Sequence, residues 1–146
     1  MRGDRAFFDT NILIYAFSAG DGRQKTALDL LLAGGTVSVQ TLNEFANVVR
    51  GKMMVPWREA LVWLDTVGKL CDPPIPVTES VHRRGLQIAQ ITGYHIYDSL
   101  MLSAAMEAEC RLFYSEDLQD GQITESLTVR NPFGRRPVLR PGRRSG

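Results

Sequence analysis

Asp9 stands where a charge is least expected. It follows Ala6-Phe7-Phe8, a run too apolar to be half-exposed, and it precedes the apolar stretch Asn11-Ile12-Leu13-Ile14. A short run of this kind reads as a strand covered on both faces, as in parallel sheets flanked by helices. An ionisable group at its end lies against core, and a buried charge needs a partner. No basic residue follows Asp9 before Arg23, so its partner has to come from elsewhere.

Apolar and polar segments then alternate along the chain. Residues 11–17 begin a helix closed by Gly20 and Gly22, and Gln24 to Ala33 carries Ala27, Leu28, Leu31 and Leu32 at helical spacing before Gly34-Gly35. Thr36 to Val39 is β-branched and reads as a second strand. Thr41-Leu42-Asn43-Glu44 has the pattern of a capping box opening a helix to about Arg50. Pro56 suits the first turn of a helix running to Gly68, and a short extended piece around Pro73, Pro74 and Pro76 ends at Val77. Thr78 caps a helix to Thr92, stopped by Gly93, and a further helix spans Tyr97 to Glu109. Arg111 to Ser115 and Leu127 to Val129 read as strands. Strands separated by helices predict an α/β fold with a mostly parallel central sheet.

A length of 146 residues suits one domain, with 44% apolar and 23% charged residues close to the globular norm. The longest apolar runs are too short for a membrane span, and Asp4 and Asp9 break any export signal, so the reading is soluble and cytoplasmic. Cys71 and Cys110 lack metal-ligand spacing and read as buried, reduced thiols. The net charge of +1 conceals an asymmetry: residues 1–129 hold 11 basic and 16 acidic residues, residues 130–146 six Arg and no acid. The hydrophobic pattern ends at Phe133, which sets a domain at 1–133 and a basic Arg/Pro/Gly-rich tail at 134–146. That tail is either a solvated end or a contact for RNA or a protein.

Four carboxylates share one kind of position. Asp9 ends a strand, Glu44 lies in the first turn of a helix after a strand, Asp98 opens a helix, and Asp117 follows a strand. In open α/β sheets ligands bind at the carboxyl ends of strands, where helix N-termini gather, so these four can converge. Converging acids repel one another and call for a cation or a proton. Hard oxygen donors without a usable Cys/His set point to Mg²⁺ or Mn²⁺, which acidify bound water for phosphodiester hydrolysis. Each acid also has a structural explanation: Glu44 as the third residue of its capping box, Asp98 as a complement to the helix dipole, Asp117 as a turn residue. Glu116 and Asp120 flank the site as supporting or surface acids. His82 reads as ordinary, whereas His95, three residues before Asp98, reads as ordinary or facing the cleft. Met53, Met54, Trp57 and Trp63 read as core or interface filling, and no phosphate-binding glycine loop is present.

Four segments in order, Phe8-Asp9-Thr10-Asn11-Ile12-Leu13-Ile14-Tyr15-Ala16, Gln40-Thr41-Leu42-Asn43-Glu44-Phe45, Tyr97-Asp98-Ser99-Leu100-Met101 and Leu112-Phe113-Tyr114-Ser115-Glu116-Asp117-Leu118, resemble the PIN domain family, and within it the VapC-type toxins of toxin–antitoxin pairs. The resemblance implies a three-layer sandwich and a Mg²⁺- or Mn²⁺-dependent endoribonuclease. It implies Asp9, Glu44, Asp98 and Asp117 as the metal-site and catalytic residues, with Thr10, Asn11 and Ser115 in support. It further implies a homodimer and an antitoxin that blocks the active-site groove. Three alternatives stand beside it: a housekeeping RNA-processing nuclease, a non-catalytic RNA- or protein-binding module, and a haloacid-dehalogenase-type phosphatase. The last wants a second Asp two residues after the first, where this chain has Asn11.

Overall fold

The first strand divides the molecule into its layers. In the computed structural model, which describes residues 5–20 and 22–134, β1 (Ala6–Phe8) turns Phe7 and Phe8 to opposite faces, and both are fully buried. Strand alternation forces this, because successive side chains leave a strand on opposite sides. Phe7 stacks on Phe113 with ring centroids 5.3 Å apart, and Phe8 on Tyr114 at 6.2 Å.

The Phe8 face is covered by α1 (Thr10–Ala16), α2 (Arg23–Ala33), α3 (Val39–Arg50) and α4 (Trp57–Leu70), which supply Leu13, Leu31, Phe45 and Val67 to one core. On the Phe7 face, α5 (Glu79–Thr92) and α6 (Ile96–Glu107) supply Val81, Ile88, Met101 and Ala105 to another. The result is a three-layer sandwich around β1, β2 (Leu112–Tyr114), β4 (Leu127–Arg130) and β3 (Ile123–Thr124). The sheet order is β1-β2-β4-β3, parallel in its first two pairings and antiparallel only between β3 and β4. Residues Ser99 to Ala105 of α6 are all buried, which explains why this segment is apolar on every side. It is tied to α5 by Ser103 Oγ, which donates to the Val81 carbonyl at 2.8 Å.

Several sequence expectations need correction. The stretch Thr36 to Val39 is not a regular strand: Thr36 bridges Phe7, Ser38 bridges Ile75, and Val39 already belongs to α3. The capping box lies one turn earlier than read, with Ser38 as N-cap and Thr41 as its reciprocal partner, because Ser38 is the residue in extended conformation beside Ile75. The helix after Pro56 continues through Gly68 to Leu70. The short antiparallel β3 was not foreseen at all. Met54 and Trp57 are exposed rather than core, while Met53 and Trp63 pack against it. Both cysteines are free thiols, Cys110 buried and Cys71 half-buried. Among the described residues no helix is long and apolar enough to cross a membrane. Arg135 to Gly146, most of the basic tail, lie outside the described residues.

Gly35 makes the closest approach to the central strand. A β-carbon there would lie 2.7 Å from the Phe8 ring and 2.9 Å from the Ala6 carbonyl. The ring is locked between layers and the carbonyl accepts from Thr36 N at 2.9 Å, so neither can yield easily. Gly35→Ala is expected to cost about 1–3 kcal/mol, read as a lower urea midpoint at unchanged slope. A midpoint equal to that of the parent chain would show that β1 can shift.

Candidate active site

The carboxyl ends of β1 and β2 meet at Asp9. Its backbone N–H donates to the Tyr114 carbonyl at 3.0 Å, placing it level with the end of the neighbouring strand. As N-cap of α1, Asp9 is only 3% exposed, and Oδ1 accepts from Thr10 N at 2.6 Å. Its Oδ2 accepts from Ser115 Oγ at 2.7 Å, and more weakly from Asn11 Nδ2 at 3.5 Å. Ser115 is fully buried, and its oxygen in turn accepts from Asp117 N at 3.1 Å and Leu118 N at 3.3 Å. One hydroxyl therefore fixes both the Asp9 carboxylate and the loop that carries Asp117.

The remaining polar positions act in pairs. Asn11 Nδ2 donates to Asp117 Oδ2 at 3.0 Å, holding that exposed acid toward Asp9. Thr10 Oγ1 donates to Glu44 Oε1 at 3.3 Å, and Gln40 Nε2 donates to Glu44 Oε2 at 2.8 Å. With α3 beginning at Val39, Glu44 sits in its second turn, and the capping explanation for that residue falls away. Asp98 is in the first turn of α6, whose N-cap is His95.

Two of the four acids are shifted by burial and by their neighbours' charges. Burial pushes the Asp9 carboxyl up to about 7; the Ser115 bond opposes this, the charges of Asp98 and Asp117 add to it, and the Thr10 bond opposes it. Burial likewise raises Asp98 to about 6, aided by Glu44 and Asp117 and opposed by His95. Among the described residues no three Asp, Glu, His or Cys side chains are arranged to close on one ion. That does not conflict with Mg²⁺, which keeps several waters and takes only one or two carboxylates directly. An all-carboxylate donor set in which the charges of neighbouring acids help to raise Asp9 and Asp98 fits such a hydrated hard cation.

Sequence reasoning missed three parts of this region. Gln40 was not singled out, although its i,i+4 spacing to Glu44 on a helix was there to read. Tyr15 Oη donates to Glu116 Oε1 at 2.6 Å and accepts from Arg23 Nη1 at 2.7 Å, while Arg23 Nε lies 3.4 Å from Glu116 Oε2. Glu116 is thus a supporting acid of the loop, whereas Asp120 is exposed and accepts from Asn131 N at 2.8 Å. The third part is a cavity of about 420 Å³ between α3 and the start of α6, lined by Asn43, Asn47, His95 and Tyr97 beside Glu44 and Asp98. His95 faces this cleft, and His82 is an exposed residue of α5.

A mostly parallel sheet with helices on both faces and a buried acid at the end of its first strand defines the class to which this chain belongs. The sequence model of the PIN domain matches residues 6–119, and the chain belongs to that family. Solved structures agree on the fold. A toxin–antitoxin complex from Klebsiella pneumoniae aligns at 22% identity and a TM-score of 0.64, covering 87% of this chain and 97% of that one. VapC20 of Mycobacterium tuberculosis, described as a toxin cleaving the sarcin–ricin loop, aligns at 16% identity and 0.62, covering 74% and 86%. FitAcB from Neisseria gonorrhoeae aligns at 18% identity and 0.62, covering 88% and 98%. No curated protein matches the chain by sequence.

The raised Asp9 pKa makes stability depend on pH in a definite direction. Between its ordinary value of 3.8 and about 7 the folded state binds more protons than the unfolded state. Unfolding free energy therefore falls as pH rises through that window, by up to about 4 kcal/mol from Asp9 alone. In EDTA, urea unfolding of the parent chain is expected to weaken from pH 4.5 to 8, with a much flatter profile for Asp9→Asn. Parallel profiles for the two chains would mean that Asp9 carries no such burden.

Proposed function

We infer that this chain is a divalent-metal-dependent endoribonuclease acting in the cytoplasm as the toxin of a toxin–antitoxin pair. The observation that carries the reading is the Asp9 carboxylate, buried at a strand end within electrostatic reach of Asp98 and Asp117, with Glu44 in turn acting on Asp98. Membership of the PIN domain family supports the nuclease class. The toxin reading is supported by neighbours described as a toxin–antitoxin complex and as a sarcin–ricin loop cleaving toxin.

Asp9, Asp98 and Asp117, with Glu44, are the residues that would hold Mg²⁺ or Mn²⁺. When bound, such an ion acidifies water and offsets negative charge on a phosphodiester. The protein's own part is positioning. Thr10 N and Ser115 Oγ donate to the two Asp9 oxygens and so fix the orientation of its carboxylate. Asn11 sets Asp117, and Thr10 with Gln40 sets Glu44 where it can accept a proton from water lying between the acids. With the ion in place, neutralisation favours the ionised form of Asp9 that burial otherwise opposes.

Residues 1–133 form the nuclease domain in this reading, and the six Arg after residue 129 supply phosphate contacts to an RNA whose approach the acidic body opposes. The exposed Trp57, Leu61 and Val62 of α4 offer apolar surface for a second copy of the chain, and an antitoxin would block the acidic groove.

Purified protein incubated with total tRNA and rRNA is expected to cut in Mg²⁺ or Mn²⁺ and not in EDTA. Asp9→Asn should lower the rate by about a hundredfold or more, the scale of losing an electrostatic contact to the reacting group. Cutting that survives EDTA or the Asp9→Asn change would overturn the four-acid mechanism. Absence of cutting across all substrates and both ions would favour a binding module.

A further inference from the structure

The cavity beside the acids shares one side with the cluster and extends beyond it. Asn43 and Asn47 stand one helical turn apart on the exposed face of α3, and their amides form one wall. The opposite wall is the start of α6, where the His95 and Tyr97 rings lie 5.1 Å apart at 41°. Tyr97 is half exposed, so its ring faces the opening rather than filling core. His95 is fixed as the helix cap: Nδ1 accepts from Tyr97 N at 3.1 Å, which leaves Nε2 to carry the proton of the neutral ring. The third side is Glu44 and Asp98, two of the four acids.

Resting on the nuclease reading above, we propose that this cavity is a nucleobase subsite that holds one unpaired RNA nucleotide next to the scissile phosphate. Its volume of about 420 Å³ falls in the range of sites that enclose a small flat ligand. Two aromatic rings give a base its stacking surface, and two side-chain amides offer donors and acceptors to its edge, the combination by which unpaired RNA is recognised. Only a nucleic acid brings a phosphodiester to the acids and a flat π-system to the adjoining wall in the same approach.

The test separates the subsite from the nuclease activity by reading binding in a slow-cutting chain. Fluorescein-labelled single-stranded hexaribonucleotides, each abasic at one position, are titrated in Mg²⁺ against full-length Asp9→Asn and against that chain carrying Tyr97→Ala, Tyr97→Phe or Asn43→Ala with Asn47→Ala. One abasic position is expected to weaken binding about tenfold in Asp9→Asn. Tyr97→Ala should weaken the intact RNA about as much, and the same abasic position should then have no further effect. Tyr97→Phe should restore binding, and the double Asn variant should flatten preference among the four bases at that position. Equal abasic losses with and without Tyr97 would overturn the subsite, as would undetectable RNA binding. So would variants that bind RNA normally but lose a protein partner. If the parent chain cuts no RNA while the coupled abasic effect persists, the nuclease reading fails and the subsite stands. Cutting without that coupling has the opposite meaning.

Discussion

The hydrogen bond from Ser115 to Asp9 joins the first two strands, β1 and β2, at the end where the acids gather. A buried carboxylate is costly, and its neighbours Asp98 and Asp117 make it costlier. The hydroxyl offsets part of that cost and gathers the backbone N–H groups of Asp117 and Leu118 onto the same oxygen. Sheet register, loop conformation and carboxylate orientation are therefore one coupled arrangement. The layers above and below hold the strands rigid, so the arrangement cannot relax by spreading the acids apart.

Much of this was legible where one local signal had a single meaning. Ala6-Phe7-Phe8 could only be a strand buried on both sides, and Thr78 with Gly93 bounded α5 as read. The start of α3 was misread because two overlapping capping patterns, Ser38 with Thr41 and Thr41 with Glu44, compete in sequence; pairing of Ser38 with Ile75 decides between them. β3 has two residues and an exposed Ile123, too short for any periodicity to register.

The region around the acids divides along the same line. Asp9, Glu44, Asp98 and Asp117 were singled out because acids beside apparent element boundaries are conspicuous, and the fold brings Asp98 and Asp117 within electrostatic reach of Asp9, and Glu44 within reach of Asp98. The Tyr15–Arg23–Glu116 triad was not found, because it joins α1, α2 and the loop after β2 through residues unremarkable one by one. Burial and Glu116 hold the Tyr15 phenol up to about 12, so it stays a donor to that loop across the ordinary pH range. The cavity wall of Asn43 and Asn47 was invisible for a different reason: exposed amides on a helix look like solvated surface until the opposing aromatic pair is placed.

The contact between Ser115 and Asp9 spans 106 positions of the chain. During synthesis, Asp9 and α1 leave the ribosome long before β2 exists, and until then the first strand lacks β2, its parallel partner in the sheet. Domains complete themselves as units when their last core element arrives. In a chain of this topology the Asp9 carboxylate therefore lacks its Ser115 donor until β2 has been made and has paired with β1.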